Sequence, residues 1–125
     1  MLSAPMEDYL EAISLVQNED GLSRVTDVRN LLGVKTPSVT GALRVLTQQG
    51  YVIHEPYCGV KLTAKGRRAA EDVKARHAIL SYFLTKVLGV HPKTADMDAC
   101  KMEHTVSRET LQKLHTFLAK YPKGK

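Results

Sequence analysis

Residues 36–52 have the sequence TPSVTGALRVLTQQGYV, and this stretch decides the fold. Thr36 can cap a helix and Pro37 suits the first helical position. Three apolar residues then follow at helical spacing: Val39, Leu43 and Leu46. Gly50 can close the helix. The pattern therefore predicts a helix from Thr36 to Gln49 that buries one face and leaves the other open.

A second short helix is predicted just before this one. Thr26 can cap it, Val28, Leu31 and Leu32 supply its apolar face, and Gly33 can end it. Two short helices joined by a turn at a glycine are typical of a helix-turn-helix. Farther upstream, apolar residues recur at spacings of three and four between Pro5 and Gln17, which predicts an amphipathic helix.

The chain after Gly50 has the composition of a small wing. Residues 51–53 (YVI) and 60–62 (VKL) are β-prone runs separated by a loop that contains Gly59, which predicts a hairpin. Residues 64–88 then predict one long helix. Thr94 and Ser107 can cap two further helices. The fold class is therefore mainly α with a small β-hairpin.

Charge and composition narrow the class of function. The 125 residues carry a formal net charge of +5, and residues 35–76 hold eight lysines and arginines against three acidic residues. Such a concentrated basic stretch favours a polyanionic partner. No apolar run approaches the roughly 20 residues of a membrane span, and two cysteines are too few for a disulfide framework. We therefore expect a cytoplasmic protein without a membrane association.

Metal-binding side chains occur in three separate places. Asp8 and Glu11 are three residues apart on the first predicted helix, and His77 lies within the apolar stripe of the long helix. A third group has helical spacing: Cys100, Glu103 and His104. Together they offer carboxylate, imidazole and thiolate, which suits a transition metal better than magnesium or calcium.

Each of these groups also has a simpler interpretation. Asp8 with Glu11 could be a solvated acidic face, and His77 a hydrogen-bonded histidine of the core. Glu103 with His104 could be a surface pair. The spacing alone leaves these alternatives open.

Four stretches, in this order and spacing, resemble the diphtheria-toxin-repressor family of metalloregulators: MEDYLEAI (6–13), TPSVTGALRVLTQQGYV (36–52), LTAKGRRAA (62–70) and DACKMEH (98–104). The resemblance covers essentially the whole chain. Within the family, the chain resembles the shorter, manganese-repressor-like members without an SH3-like domain. It implies a winged helix-turn-helix DNA-binding domain over residues 1–63 and a helical metal-binding and dimerisation domain over residues 64–125.

The resemblance also implies a ligand set: Asp8, Glu11, His77, Cys100, Glu103 and His104. Asp8 with Glu11 is similar to the manganese branch of the family, whereas the spacing of Cys100, Glu103 and His104 is similar to the iron branch. Thiolate is a soft ligand and disfavours manganese. We therefore expect Fe²⁺, with Mn²⁺ as the alternative and Co²⁺ or Zn²⁺ as substitutes, at one or two ions per protomer. Ser81 stands where the iron branch has a glutamate for an ancillary site, so we expect no such site here.

The second helix of a helix-turn-helix presents its N-terminal part to base edges in the major groove. This predicts DNA contacts from Thr36, Pro37, Ser38, Thr40, Gly41 and Arg44. The hairpin and the helix after it would contact phosphates through Lys61, Lys65 and Arg67. Arg44 is the strongest candidate for reading a guanine.

One helix-turn-helix reads a half-site, so we expect a homodimer on a near-palindromic DNA operator. The predicted dimer surface belongs to an apolar stripe, part of which must form the internal core: Leu80, Phe83, Leu84, Leu111, Leu114, Phe117 and Leu118. The predicted function is metal-dependent repression of metal-homeostasis genes, and no enzyme activity is expected. The alternatives are a metal-independent winged-helix regulator and a small metallohydrolase with Glu103 as general base.

Overall fold

The computed structural model of the chain describes residues 2–55 and 57–121. They form two compact units, Met1–Asp72 and Val73–Lys125. Each unit has a hydrophobic core of its own. The long helix α4 (Ala64–Tyr82) carries the chain from the first unit into the second.

The first unit begins with helix α1 (Ala4–Val16), close to the predicted limits. The helix starts there because the Ser3 side chain accepts a hydrogen bond from the amide of Met6 at 3.3 Å. Four residues of α1 are buried: Tyr9, Leu10, Ala12 and Ile13. This face of α1 is part of the core of the first unit.

Helices α2 (Val25–Leu32) and α3 (Thr36–Gln48) form the predicted helix-turn-helix. Gly33 has φ +67° and ψ +33°, the left-handed conformation that ends α2, as the sequence predicted. The buried face of α3 packs into the core of the unit and consists of Val39, Ala42, Leu43 and Leu46.

The predicted caps of these two helices were wrong. Helix α2 begins at Val25, one residue before Thr26, so Thr26 lies within its first turn. Thr36 is likewise the first residue of α3 and not its cap. Its hydroxyl accepts a hydrogen bond from the Arg29 guanidinium at 3.3 Å and so links the start of α3 to α2.

The wing is a hairpin of β2 (Val52–Glu55) and β3 (Gly59–Leu62), paired antiparallel. A third strand that the sequence analysis missed, β1 (Leu22–Ser23), pairs with the other edge of β3. Gly59 has φ +126°, and a Cβ there would lie 2.7 Å from the carbonyl oxygen of Ser23. Only glycine allows β1 to approach this closely. The Ser23 hydroxyl is buried and donates to the carbonyl of Ile13 at 2.6 Å.

The second unit contains the remainder of α4, a π-helical turn (Phe83–Val87), helix α5 (Pro92–Met102) and helix α6 (Arg108–Lys120). The predicted long helix thus has the expected length but changes its winding after Tyr82. The core of the unit consists of Leu80, Leu84, Ala95, Ala99 and Leu111.

One of the two predicted caps in this unit was wrong. Helix α5 begins at Pro92, so Thr94 lies inside it, and the His91 side chain accepts a hydrogen bond from the amide of Lys93. The predicted Ser107 cap is confirmed, because its hydroxyl accepts from the amide of Thr110 at 3.1 Å.

The apolar residues assigned to a dimer surface divide into two groups. Leu80, Leu84 and Leu111 are buried in the core of the second unit, because the stripe also has to hold α4, α5 and α6 together. Phe117 is 49 % exposed and therefore stays available for a partner. Across the residues that the structure describes, no helix has the length and apolar character of a membrane span.

Candidate metal centre and DNA-reading surface

His77 is at the centre of a cluster of metal-binding groups in the second unit. Its Nδ1 lies 2.9 Å from Oε2 of Glu103, and its Nε2 lies 2.7 Å from Oδ1 of Asp96. The Sγ of Cys100 is 3.7 Å from the same Nδ1. One ligand atom each from His77, Cys100 and Glu103 can be chosen so that all lie within 4.8 Å of one another. Helices α4 and α5 thus bring together residues that are more than 20 positions apart in the sequence.

Glu103 is the buried member of the cluster. Its side chain is 1 % exposed, and burying a carboxylate is costly unless it is paired or binds a metal. It follows α5 directly as the C-cap residue, and its backbone carbonyl accepts a hydrogen bond from Arg76 at 2.7 Å. His104 Nε2 lies 3.5 Å from the other carboxylate oxygen, Oε1. Both oxygens of Glu103 therefore face imidazole nitrogens.

The electrostatics of the cluster favour a cation next to His77. Burial lowers the pKa of this imidazole, but the hydrogen bond to Asp96 and the charge of Glu103 outweigh it, so the pKa is raised above 6.5. The surroundings that stabilise a proton on this ring also stabilise a metal cation beside it. One nitrogen, one sulfur and one carboxylate oxygen form a donor set that suits iron, cobalt or zinc. The residues present therefore fit a transition metal.

The first unit presents an exposed face of α3. Five of the residues predicted to contact DNA are exposed on this helix: Thr36, Pro37, Ser38, Thr40 and Arg44. Gly41 is half-buried, and an added Cβ there would meet nothing within 4 Å. The opposite face is buried in the core. The helix therefore has the one-sided exposure that a recognition helix needs.

The side chains predicted to contact phosphates differ in their surroundings within the fold. Lys61 is exposed on β3. The Lys65 ammonium donates to the carbonyl of Gln49 at 2.8 Å and lies 4.3 Å from the centroid of the Tyr51 ring. Arg67 donates to the carbonyl of Leu62 at 3.3 Å. Lys65 and Arg67 thus stabilise the end of α3 and the hairpin, and their DNA contacts stay a prediction.

Residues 1–60 match the N-terminal DNA binding domain of the iron-dependent repressors, and residues 63–123 match their metal binding and dimerisation domain. The chain belongs to the iron-dependent repressor family. It is a metal-dependent, DNA-binding transcriptional regulator. The two domain matches confirm the predicted fold class, function class and partners.

Two proteins of similar sequence support the assignment of this repressor to the family. The uncharacterized HTH-type transcriptional regulator MJ0568 of Methanocaldococcus jannaschii is 39 % identical over 121 residues, covering 96 % of this chain and 97 % of the relative. The transcriptional regulator MntR of Salmonella typhimurium is 41 % identical over 112 residues, covering 90 % and 71 %.

A solved structure supports the fold. The manganese regulator SloR superposes with a TM-score of 0.80 at 28 % identity, over 94 % of this chain. The chain spans 54 % of the solved SloR chain. The aligned part therefore includes both units of this repressor.

Four of the six predicted ligands of the repressor lie within one compact unit. His77, Cys100, Glu103 and His104 lie within the second unit, whereas Asp8 and Glu11 lie on α1 of the first. Their place in the ligand set stays a prediction.

Two polar residues of this cluster, Asp96 and Arg76, were not predicted from the sequence. Asp96 is four positions before Cys100 on α5, so helical spacing could have indicated it. Arg76 gave no comparable signal, because its contact is to a backbone carbonyl.

Proposed function

We propose that this repressor binds Fe²⁺ through His77, Cys100 and Glu103 and then represses metal-homeostasis genes as a homodimer on a near-palindromic operator. The observation that carries this proposal is the cluster of three unlike donor atoms within 4.8 Å, in the part of the chain that matches a metal binding domain. Mn²⁺ is the alternative ion, and Co²⁺ or Zn²⁺ can substitute. The solved relative SloR is described as a manganese regulator, which favours Mn²⁺, whereas the Cys100 thiolate favours Fe²⁺.

We further propose that His104, Asp8 and Glu11 complete the ligand set. Oε1 of the buried Glu103 faces His104, and the resemblance to the family adds Asp8 and Glu11 from α1. The metal supplies concentrated positive charge, which makes convergence of these ligands favourable. Residues 1–63 would read DNA and residues 64–125 would bind metal and dimerise. Ligands from both parts would couple metal binding to the spacing between the recognition helices of the two protomers.

The DNA contacts in this proposal come from the exposed face of α3, with Arg44 reading a base. Thr36, Pro37, Ser38, Thr40 and Gly41 would contact bases or backbone at the start of the helix. Lys61, Lys65 and Arg67 would add phosphate contacts that carry no sequence information. Because the proposed partner is chromosomal DNA, we place the protein in the cytoplasm.

A role as a metallohydrolase is disfavoured by the environment of Glu103. A general base has to reach a substrate water, but this carboxylate is 1 % exposed and is held by His77 at 2.9 Å. We therefore propose a regulator without enzyme activity. The metal-independent alternative assigns no role to the convergence of the His77, Cys100 and Glu103 donor atoms.

The proposal can be tested by the metal content of the protein. Full-length protein isolated without added metal is expected to retain iron or manganese, and to rebind one or two equivalents of Co²⁺ after removal of the metal. His77→Ala should lose most of the Co²⁺ affinity. His115→Ala, which removes an exposed histidine of α6, is the matched control and should bind as the unmutated protein does. Equal Co²⁺ binding by both variants would contradict the proposed site.

A further inference from the structure

The His77 ring contacts a carboxylate through each of its nitrogens, and the Cys100 thiol lies on the Nδ1 side. Glu103 Oε2 and Cys100 Sγ both lie next to Nδ1, at 2.9 and 3.7 Å. Asp96 Oδ1 lies next to Nε2, at 2.7 Å. Because the two nitrogens point away from each other, a metal bound beside Cys100 and Glu103 would use Nδ1. Nε2 would then carry the ring proton and donate it to Asp96.

Asp96 differs from His77 and Glu103 in its exposure to solvent. Its side chain is 67 % exposed, whereas His77 is 22 % and Glu103 1 % exposed. Asp96 and Cys100 are four residues apart on α5, so one helix supplies both the contact to Nε2 and a donor atom on the Nδ1 side. A shift of α5 would disturb both sides of the ring together. The rigid helix thus fixes which nitrogen of His77 faces the candidate ligands.

We infer that Asp96 is a positioning residue of the metal centre: it accepts a hydrogen bond from Nε2 of His77 and so presents Nδ1 to the metal. This inference rests on the proposed metal site and adds a residue outside the ligand set. Histidine ligands commonly donate their second ring N–H to a carboxylate, which fixes the tautomer and makes the coordinating nitrogen more basic. Loss of such a partner lowers metal affinity by roughly 10- to 100-fold. Since Asp96 is largely exposed, we expect about a tenfold loss, near the lower end.

The conservative variant separates this role from a general effect on α5. Asp96→Asn keeps an oxygen that can accept from Nε2 but removes the charge. Asp96→Ala removes the acceptor as well. We expect the affinity for Zn²⁺ to fall in the order unmutated protein, Asp96→Asn, Asp96→Ala, with the number of bound ions unchanged. Asp98→Asn changes another exposed aspartate of α5 and is the matched control.

The experiment combines competitive Zn²⁺ titration with ¹⁵N NMR of the histidine rings in the full-length protein. Zn²⁺ is suitable because it is diamagnetic and binds imidazole and thiolate. In the unmutated Zn²⁺-bound protein, His77 should show a metal-bound Nδ1 and a protonated Nε2. In Asp96→Ala this signature should weaken or give way to a mixture of tautomers. The thermal unfolding midpoints of the metal-free variants should agree with one another.

The possible failures can be told apart. Coordination of His77 through Nε2, or unchanged Zn²⁺ affinity in Asp96→Ala, would overturn the role of Asp96 and leave the metal site standing. Loss of one whole Zn²⁺ equivalent in Asp96→Ala would also overturn it, because Asp96 would then be a ligand. If the unmutated protein bound no Zn²⁺ at His77, both the proposed metal site and this inference would fail.

Discussion

Replacing Arg44 by alanine tests whether the exposed face of α3 reads DNA sequence. Arg44 is exposed two helical turns after Thr36, and Thr36, Thr40 and Arg44 follow one another at intervals of four residues on the same face. Eight residues of α-helix span about 12 Å, which is the length of a few base pairs. Within the described residues no hydrogen bond of the Arg44 side chain is found. Its removal should therefore leave the fold intact.

The magnitude follows from the symmetry of the proposed complex. A bidentate arginine–guanine pair contributes roughly 1 to 3 kcal/mol of discrimination. A dimer on a near-palindrome would lose two such contacts, about 2 to 6 kcal/mol in total if the half-sites are independent. The assay is fluorescence anisotropy at fixed salt with excess metal, on an operator selected from random duplexes and on a scrambled duplex. Equal losses on both duplexes would refute base reading and leave Arg44 a phosphate contact.

Three further substitutions probe the metal site, the start of α4 and the core. Cys100→Glu should make Mn²⁺ a better activator relative to Fe²⁺ or Co²⁺, because a hard oxygen replaces the thiolate; if Co²⁺ bound to the unmutated protein shows no sulfur-to-metal charge-transfer band, Cys100 is not a ligand. Lys65→Ala should weaken binding to all duplexes alike and lower the salt slope by about one per protomer. An unchanged slope with a lower unfolding midpoint would leave Lys65 only its contacts with Gln49 and Tyr51. Ser23→Ala should reduce the free energy of unfolding by about 1 to 3 kcal/mol in denaturant titrations, since it removes the buried hydrogen bond to Ile13; a change below about 0.5 kcal/mol would argue against that bond.

Much of the fold could be predicted because its helices have clear periodicity and end signals. Gly33 and the apolar face of α3 are local features, and both were predicted correctly. The caps at Thr26, Thr36 and Thr94 were not, because each helix begins at the threonine or one to two residues before it. Threonine is one of the favoured cap types, but the actual start depends on where the preceding chain turns.

Strand β1 could not be predicted, because two residues show no alternation. It exists through its pairing with β3, which depends on the missing side chain at Gly59. The metal cluster was predicted only in part, because it also depends on contacts between elements that are distant in the sequence. Helical spacing relates Cys100 to Glu103, but only the packing of α4 against α5 places His77 between Glu103 and Asp96. Contacts between helices are set by tertiary structure and leave no local pattern.

The most direct test of metal-dependent repression is operator affinity of the unmutated full-length protein, measured at one salt concentration with Fe²⁺ under anaerobic conditions, with Mn²⁺, and with a chelator. Metal is expected to raise the specific affinity by roughly tenfold or more, which corresponds to about 1.4 kcal/mol of coupling, while affinity for scrambled DNA changes little. Operator affinity that is unchanged by the chelator would contradict the proposed function, even if the fold is correct.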